Sequence, residues 1–169
     1  MVTLKIQSLD DIIRAYLCGL GFAGDKAAAT IKQLKTKLTE ARVSDYLLPW
    51  TRKTVEEAYQ TAGLTADDID VFELYDYYTA GELIELSCVG LCKPGEEYRL
   101  IEDGVIEFDG AKPVNPTGGP TGVRMFLDLY KQLTGTAGEC QVPKAVKNGL
   151  MLNMGGSATS NYAFILGME

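Results

Sequence analysis

The sequence predicts an α/β fold. Short apolar runs bounded by turn residues, Ile69–Leu74, Gly149–Met154 and Asn161–Leu166, have the length and composition of strands. The stretches between them carry apolar residues three and four positions apart, which is the spacing of an amphipathic helix. A chain of 169 residues suits one domain, or half of a larger two-domain unit. We therefore expect a sheet covered by helices.

The first quarter of the chain predicts a strand and two helices. Residues 2–8 alternate in the manner of a strand, and Leu9–Leu17 has helical spacing. The glycines of 19–24 predict a turn, because no lysine-serine pair follows them as it would in a phosphate-binding loop. Asp25–Arg42 is rich in alanine and lysine and predicts an amphipathic helix with a solvated basic side.

A third helix is predicted over Arg52–Ala62, ahead of the central strand. Its apolar stripe has the i, i+3, i+4, i+7 spacing, and Gly63 follows as a residue suited to end the helix. Thr65–Asp68 predicts a short capped turn. The strand Ile69–Leu74 comes next and belongs to the predicted sheet.

The strand is followed by a polar cluster and then by further predicted elements. Thr79 and Glu82 fit a capping box, so a helix is predicted from Thr79 to about Gly90. Ile101–Phe108 predicts a surface hairpin with its turn at Asp103-Gly104.

A glycine-rich stretch, Pro113–Gly122, leads directly into another predicted helix. Backbone amides in such a loop can bind an anion or a carbonyl oxygen, although a tight turn that lets loop and sheet pack closely explains the glycines equally well. The helix carries Val123, Phe126, Leu127 and Tyr130 on one side. The chain ends in two strands joined by Gly155–Ser157, which predicts a final antiparallel hairpin.

Composition excludes several classes of function. The net charge of −7 lacks the basic surface that a nucleic-acid backbone requires. No apolar run is long enough to span a bilayer, and the N-terminus lacks the layout of a signal peptide. Four cysteines and no histidine disfavour a metal site and favour reduced thiols in the cytoplasm. Without an imidazole, acid–base chemistry must come from Tyr, Asp, Glu, Cys or a partner chain.

Tyr75, Asp76 and Tyr77 form the most informative cluster. They follow a buried strand and precede a predicted helix N-terminus, where exposed amides favour a developing negative charge. Ligands of open α/β sheets bind outside the carboxyl ends of the strands. The cluster is therefore either a working site or a hydrogen-bonded structural corner.

Three stretches in this order resemble the thiolase superfamily. The stretches are Asp68–Thr79, Val114–Gly119 and Leu152–Gly156, and Leu91–Gly95 also follows the sterol-carrier-protein branch. The chain is similar to the C-terminal half of such a thiolase over roughly residues 45–169. We therefore expect residues 1–169 to be a single thiolase-like C-terminal domain, with residues 1–44 only weakly matched.

The resemblance implies a mixed five-stranded sheet with helices on both faces. It also implies an acyl-CoA thioester as substrate, carbon–carbon bond formation or cleavage, and no tightly bound cofactor. Members of the family have two similar halves, and the nucleophilic cysteine lies in the N-terminal half. The implied partners are a thiolase N-terminal half or a second thiolase-like chain, in a homo- or hetero-oligomer. A companion protein with a zinc ribbon and an OB-fold is another implied partner.

The departures from the family pattern concern its catalytic residues. Where this branch commonly has His-Asp-Cys-Phe, the chain has Tyr75, Asp76, Tyr77 and Tyr78. The Gly-His-Pro that normally follows the glycine motif is missing, and Asn153 stands near the place where thiolases often have a cysteine. Ordinary thiolysis by this chain alone is therefore not expected, since a tyrosine with a pKa of about 10 is a poor base at neutral pH.

Three interpretations remain, and whether the chain is an enzyme stays open among them. Some thiolase-like lyases cleave β-hydroxyacyl-CoA by a retro-aldol reaction and use tyrosines where thiolases use histidine. In that reaction Tyr75 would act on the hydroxyl, Asp76 would orient Tyr75, and Tyr77 would be a second donor. The implied substrate-binding residues are Asn115, Gly118, Gly119, Asn153 and Gly155. The alternative is a catalytically degenerate scaffold subunit that completes a complex. An α/β domain unrelated to acyl-CoA is a third interpretation.

Overall fold

The computed structural model describes residues 29, 32–33, 44–119, 121–156 and 158–168. The chain divides into two units, residues 1–44 and 45–169, and the second contains the elements described below. The predicted strand 2–8, helix Leu9–Leu17 and glycine turn 19–24 lie outside the described residues. Within the predicted helix Asp25–Arg42, the three described residues are helical. The prediction that residues 1–169 form a single domain stays a prediction.

Helix α1 spans Pro49–Ala62 and confirms the helix predicted there. Pro49 is in the first turn, where its missing N–H costs no hydrogen bond and its fixed φ suits the helix. Gly63 ends the helix with a left-handed φ of 68°, a conformation that glycine adopts without strain. The helix buries Val55 and Tyr59 against the sheet.

The sheet has three strands in the order β1-β2-β3. They are β1 (Val71–Leu74), β2 (Asn148–Gly155) and β3 (Ser160–Gly167). Strands β1 and β2 are parallel, and β2 and β3 form the antiparallel hairpin predicted from the sequence. A 3-10 turn at Ala66–Asp68 precedes β1 and has the predicted capping box. The mixed sheet is thus confirmed.

The prediction of five strands is wrong for the described part of the chain. The resemblance supplied that number, whereas the described residues contain only three strands in this sheet. Between β1 and β2 the chain forms helices and turns, with many glycines at positive φ that do not suit a strand interior.

Helices cover both faces of the sheet because neighbouring side chains of a strand point to opposite faces. Phe72 and Leu74 of β1 pack with α1 and with α2 (Thr79–Cys88). Val71 faces α4 (Val123–Thr134), which contributes Met125 and Leu129 to a second cluster. Strand β1 is buried on both faces, so Glu73 is buried with its apolar neighbours.

The helix predicted from Thr79 is confirmed as α2, and Tyr78, rather than Thr79, is its N-cap residue. The Glu82 side chain accepts a hydrogen bond from Asn115. The predicted hairpin at Ile101–Phe108 is replaced by a short helix, α3 (Glu97–Glu102), and a series of turns. Asp103-Gly104 does turn, but it ends a helix, because the Asp103 N–H donates to the Arg99 carbonyl as in a helical turn.

Helix α4 has its apolar stripe on the outside. Val123, Phe126, Leu127 and Tyr130 are 41–77% exposed. The opposite side of the helix is buried and carries Met125, Asp128, Leu129 and Gln132. We call the four exposed residues, together with Tyr162 and Phe164 of β3, the α4 apolar face. Phe126 and Phe164 join its two parts by an edge-to-face contact with ring centroids 6.3 Å apart.

None of the helices in the described ranges is both long enough and apolar enough to cross a bilayer.

Candidate active site

Tyr75, Asp76 and Tyr77 follow the carboxyl end of β1. The rings of Tyr75 and Tyr77 stack with centroids 4.9 Å apart and planes 18° apart. The Tyr77 ring also lies against Gly81 of α2, where a Cβ would come within 2.8 Å of the ring atom Cε1. Both phenols are half-buried, whereas Asp76 is exposed. The structure thus holds two tyrosine rings together at the open end of the sheet.

Asn115 connects the glycine loop to the end of β1. Its N–H donates to the Phe72 carbonyl (2.9 Å), and its side-chain Oδ1 accepts from the Leu74 N–H (2.7 Å). Its Nδ2 donates to Glu82 Oε1 (2.8 Å). These bonds hold Asn115 in a left-handed conformation with φ of 49°, which asparagine tolerates better than most residues. The side chain of Asn115 is therefore occupied by protein groups.

Gly119 brings the loop into contact with Asp76. A Cβ on Gly119 would lie 2.8 Å from Asp76 Cβ, and the residue has a φ of 62°. Both facts exclude an ordinary side chain at this position. Gly118 is exposed, and its N–H donates to the Asn115 carbonyl (2.9 Å) as part of a turn. The structure thus places the tyrosine cluster and the loop Asn115–Gly119 side by side.

Asn153 and Gly155 lie on β2, next to β1. Leu74 pairs with Leu152 in parallel register, so Tyr75 and Asn153 leave the paired region at the same edge. Asn153 Oδ1 accepts from Thr121 Oγ1 (3.3 Å), which ties β2 to the end of the glycine stretch. Gly155 is the last residue of β2 and pairs with Ser160, further along the hairpin. Asn153 is thus nearer to the end of β1 than Gly155.

Two glutamates of α2 hold the end of β1 from the other side. Glu85 Oε2 accepts from the Tyr75 N–H (3.1 Å), and Glu82 binds Asn115 as described above. Burial raises the pKa of Glu85 to about 9, and the nearby carboxylates of Glu82 and Asp76 add to this effect. Burial and Asp76 also raise the pKa of Glu82. Both shifts favour the neutral acid.

Two further carboxyl groups, those of Glu73 and Asp128, are buried beneath the glycine loop. Thr117 Oγ1 lies 3.3 Å from Glu73 Oε1 and 3.0 Å from Asp128 Oδ2. Arg124 Nε donates to Asp128 Oδ2 (2.6 Å). Burial, followed by the nearby Asp128, raises the pKa of Glu73 to about 8. Since the single hydroxyl proton of Thr117 cannot serve both carboxyl groups, a protonated Glu73 can donate to Thr117, which then donates to Asp128.

Sequence reasoning missed Glu73, Glu82, Glu85, Thr117 and Asp128. One signal was available: Glu73 interrupts a strand that is otherwise apolar, and a carboxyl group in a strand buried on both faces requires partners. The other four had no such signal, because their roles depend on contacts with segments that are distant in the sequence.

The site offers phenols, carboxyl groups and backbone amides. Burial raises the pKa of the Cys88 thiol to about 12 and that of Cys92 to about 11, so neither is a thiolate at neutral pH. In the described residues, no three Cys, Asp or Glu side chains are grouped to hold a metal ion. The arrangement therefore suits proton transfer and hydrogen bonding by tyrosine better than attack by cysteine.

Comparison with known proteins agrees with the motifs. Residues 33–168 match the family described as thiolase C-terminal domain-like. The chain is 35% identical to human sterol carrier protein 2 over 114 residues, which is 62% of this chain and 21% of that protein. It is 30% identical to the acetyl-CoA acetyltransferase of Methanocaldococcus jannaschii over 161 residues, which is 88% of this chain and 38% of that enzyme.

A solved structure described as Ltp2-ChsH2(DUF35) aldolase is also similar. The TM-score is 0.65 at 28% sequence identity, and the match covers 71% of this chain and 32% of that chain. This chain thus spans well under half the length of the relatives that it matches. The family match covers most of the sequence, including β1, the glycine loop and β2. The chain therefore belongs to the thiolase C-terminal domain-like family.

Proposed function

We propose that this chain is part of an acyl-CoA-acting enzyme that cleaves β-hydroxyacyl-CoA by a retro-aldol reaction. The observation that carries the proposal is the stacked Tyr75–Tyr77 pair beside the loop Asn115–Gly119. The similarity to proteins described as an acetyltransferase and an aldolase supports the acyl-CoA thioester and the carbon–carbon bond chemistry. No tightly bound cofactor and a cytoplasmic location are parts of the same proposal.

The proposed reaction needs one base and one group that stabilises an enolate. Tyr75, as a phenolate, takes the proton of the β-hydroxyl group, and the Cα–Cβ bond breaks as the β-carbon becomes a carbonyl. The electron pair of that bond moves into the thioester as an enolate, which takes the proton from Tyr75 at Cα and restores the phenolate. Tyr77 donates a hydrogen bond to the developing charge, and the loop holds the thioester oxygen through the Gly119 amide, since the Gly118 amide is bonded to the Asn115 carbonyl.

Asp76, Asn153 and Gly155 complete the proposed site. Asp76 orients Tyr75 and lies against Gly119, so it also sets the position of the loop. Asn153 and Gly155 lie on the neighbouring strand, β2, and the acyl chain would pass along this strand. Because Asn115 is bonded to Leu74 and Glu82, we assign it to positioning the loop as well as to the substrate-binding region.

We expect Tyr75→Phe to lower kcat for β-hydroxyacyl-CoA cleavage by about 10²- to 10⁴-fold, because it removes the proton-transfer group and retains the stacked ring. The measurement is release of the carbonyl product by the chain purified together with its natural partner chains. Tyr78→Phe is the matched control, since Tyr78 is the adjacent tyrosine and is 73% exposed. Equal rates for the Tyr75 variant and the control would remove Tyr75 from the mechanism and favour the scaffold subunit.

The α4 apolar face supports a second thiolase-like chain as partner. Exposed large apolar side chains are scattered singly on most soluble proteins, whereas here six lie on one helix and the adjoining strand. The matched relatives are much longer than this chain, so they contain chain that this domain lacks. We propose that a thiolase-like N-terminal half covers this face. A zinc-ribbon/OB-fold protein is the alternative partner, and a homo- or hetero-oligomer the expected state.

We expect Leu127→Asp to weaken binding of the thiolase-like N-terminal half by about thirtyfold or more, because a charge in the centre of an apolar interface costs at least ~2 kcal/mol. Ile101→Asp is the matched control: Ile101 is 50% exposed and lies on α3, whereas Leu127 is 48% exposed. Sedimentation velocity of the co-expressed chains measures the complex. A complex that tolerates Leu127→Asp as well as the control would place the partner elsewhere.

A further inference from the structure

Glu85 is a buried acid directly behind the tyrosine pair. It is fully buried, and its Oε2 accepts from the Tyr75 N–H (3.1 Å). Its other oxygen, Oε1, is also buried and has no hydrogen-bond partner among the residues that the structure describes. A buried carboxylate oxygen without a partner is costly, so the geometry favours the protonated, neutral acid.

The surroundings of Glu85 also favour the neutral form. The titratable groups that act on it are Glu82 on its own helix and Asp76 beyond β1, both of which are acidic. The charge of Glu85, when present, acts on Tyr77 and on Cys88 and raises the pKa of both. None of these neighbours is a cation. An ionised Glu85 would therefore add a third negative charge beside Asp76 and Glu82.

We propose that Glu85 is a positioning residue that holds Tyr75 through its backbone and, by staying protonated, keeps negative charge away from the tyrosine pair. The proposal rests on the retro-aldol function proposed above, in which Tyr75 acts as the base and negative charge develops on the enolate. A neutral acid opposes this charge less than a carboxylate does. Ionisation of Glu85 at high pH therefore slows the reaction without any change at Tyr75.

Gly81 contributes to the same arrangement. It lies one turn before Glu85 on α2, and the Tyr77 ring occupies the space that a side chain at Gly81 would fill. The Gly81–Glu85 side of α2 thus supports both tyrosines: Glu85 holds the backbone of Tyr75, and Gly81 admits the ring of Tyr77.

The protonation state can be measured without any assay of activity. The chain is labelled with ¹³C at the glutamate side-chain carboxyl, and its carboxyl resonances are titrated by NMR. Glu85→Gln identifies the resonance of Glu85 by its disappearance. We expect that resonance to keep the chemical shift of a neutral acid through pH 7. A resonance that titrates near the ordinary value of about 4.3 overturns the proposal, whatever the enzyme does.

The pH profile of β-hydroxyacyl-CoA cleavage is the second measurement. We expect the kcat/KM profiles of the wild type and Glu85→Gln to diverge as Glu85 ionises, with the wild type falling about tenfold below the variant at high pH. Glu85→Ala should lose about tenfold more activity than Glu85→Gln at pH 7, because it leaves the Tyr75 N–H without an acceptor. Identical pH profiles for the wild type and Glu85→Gln overturn the proposal.

The two measurements separate this proposal from the proposed function. If the wild type cleaves no β-hydroxyacyl-CoA, the retro-aldol function fails, while the NMR titration still decides whether Glu85 is neutral. If the wild type is active and Glu85 titrates as an ordinary acid, the retro-aldol function stands and the role of Glu85 falls.

Discussion

We expect a rise in pH from 5 to 8 to lower the free energy of unfolding by up to about 1.4 kcal/mol per pH unit for each of Glu73 and Glu85. Burial raises the pKa of Glu73 from 4.5 to about 8 and that of Glu85 to about 9. Up to about pH 7 the folded chain keeps both protons and the unfolded chain has lost them, and near pH 8 the contribution of Glu73 decreases because Glu73 ionises in the folded chain as well. The unfolded state thus binds fewer protons, and stability falls as the pH rises. Glu82, whose pKa is also raised, acts in the same direction.

The measurement is urea unfolding at a series of pH values. Glu73→Gln and Glu85→Gln should each remove about half of the slope, because the amide cannot ionise. Glu57→Gln is the control, since Glu57 is exposed on α1 and should leave the slope unchanged. Stability that is constant or that rises between pH 5 and 8 would show that the two carboxyl groups are already ionised in the folded chain.

Phe72→Ala is expected to lower the free energy of unfolding by about 3–5 kcal/mol, the usual cost of removing a buried phenylalanine side chain. Phe72 is fully buried at the centre of β1 and packs in the cluster formed with α1, α2 and β2. Because a domain is stable by only about 5–15 kcal/mol, this loss can unfold a large fraction of the chain at 37 °C.

Phe164→Ala provides a matched comparison on the same sheet. Phe164 is 49% exposed on β3, so in the isolated chain we expect a loss of about 1 kcal/mol or less. Thermal unfolding followed by circular dichroism measures both variants. Equal losses would mean that the α4 apolar face is already covered in solution, for example by self-association, and the concentration dependence of the melting temperature distinguishes that case.

Local elements were predictable where short-range rules operate. Helix α1, its end at Gly63, the capped turn Thr65–Asp68 and the final hairpin all follow from spacing, capping residues and glycine. The hairpin predicted at Ile101–Phe108 is wrong because its local turn signal fits more than one structure. Asp103-Gly104 is a valid turn signal, but such a turn can equally end a helix, and only the contacts of the preceding residues decide between the two.

Glu82, the acidic member of the capping box predicted at Thr79, has a partner that local rules do not show. Its side chain accepts a hydrogen bond from the Asn115 side chain, which is 33 residues away in the sequence. The apolar stripe of α4 shows the same limit. Periodicity identifies the stripe, yet the side of the helix that faces the sheet carries Asp128 and Gln132. Asp128 Oδ2 accepts from Thr117 and Arg124, and Gln132 bonds to the backbone of Cys140 and Val142.

The sequence by itself determined the family, the α/β class, the position of the tyrosine cluster at a strand end and the loss of histidine. These are properties of local pattern and residue identity. Only the tertiary structure decided that the Tyr75–Tyr77 pair stacks, that Gly119 abuts Asp76, and that Glu73 and Glu85 are buried acids. The physical reason is that a pKa depends on burial and on charges brought together from distant segments, and neither is encoded in the residues adjacent to the glutamate.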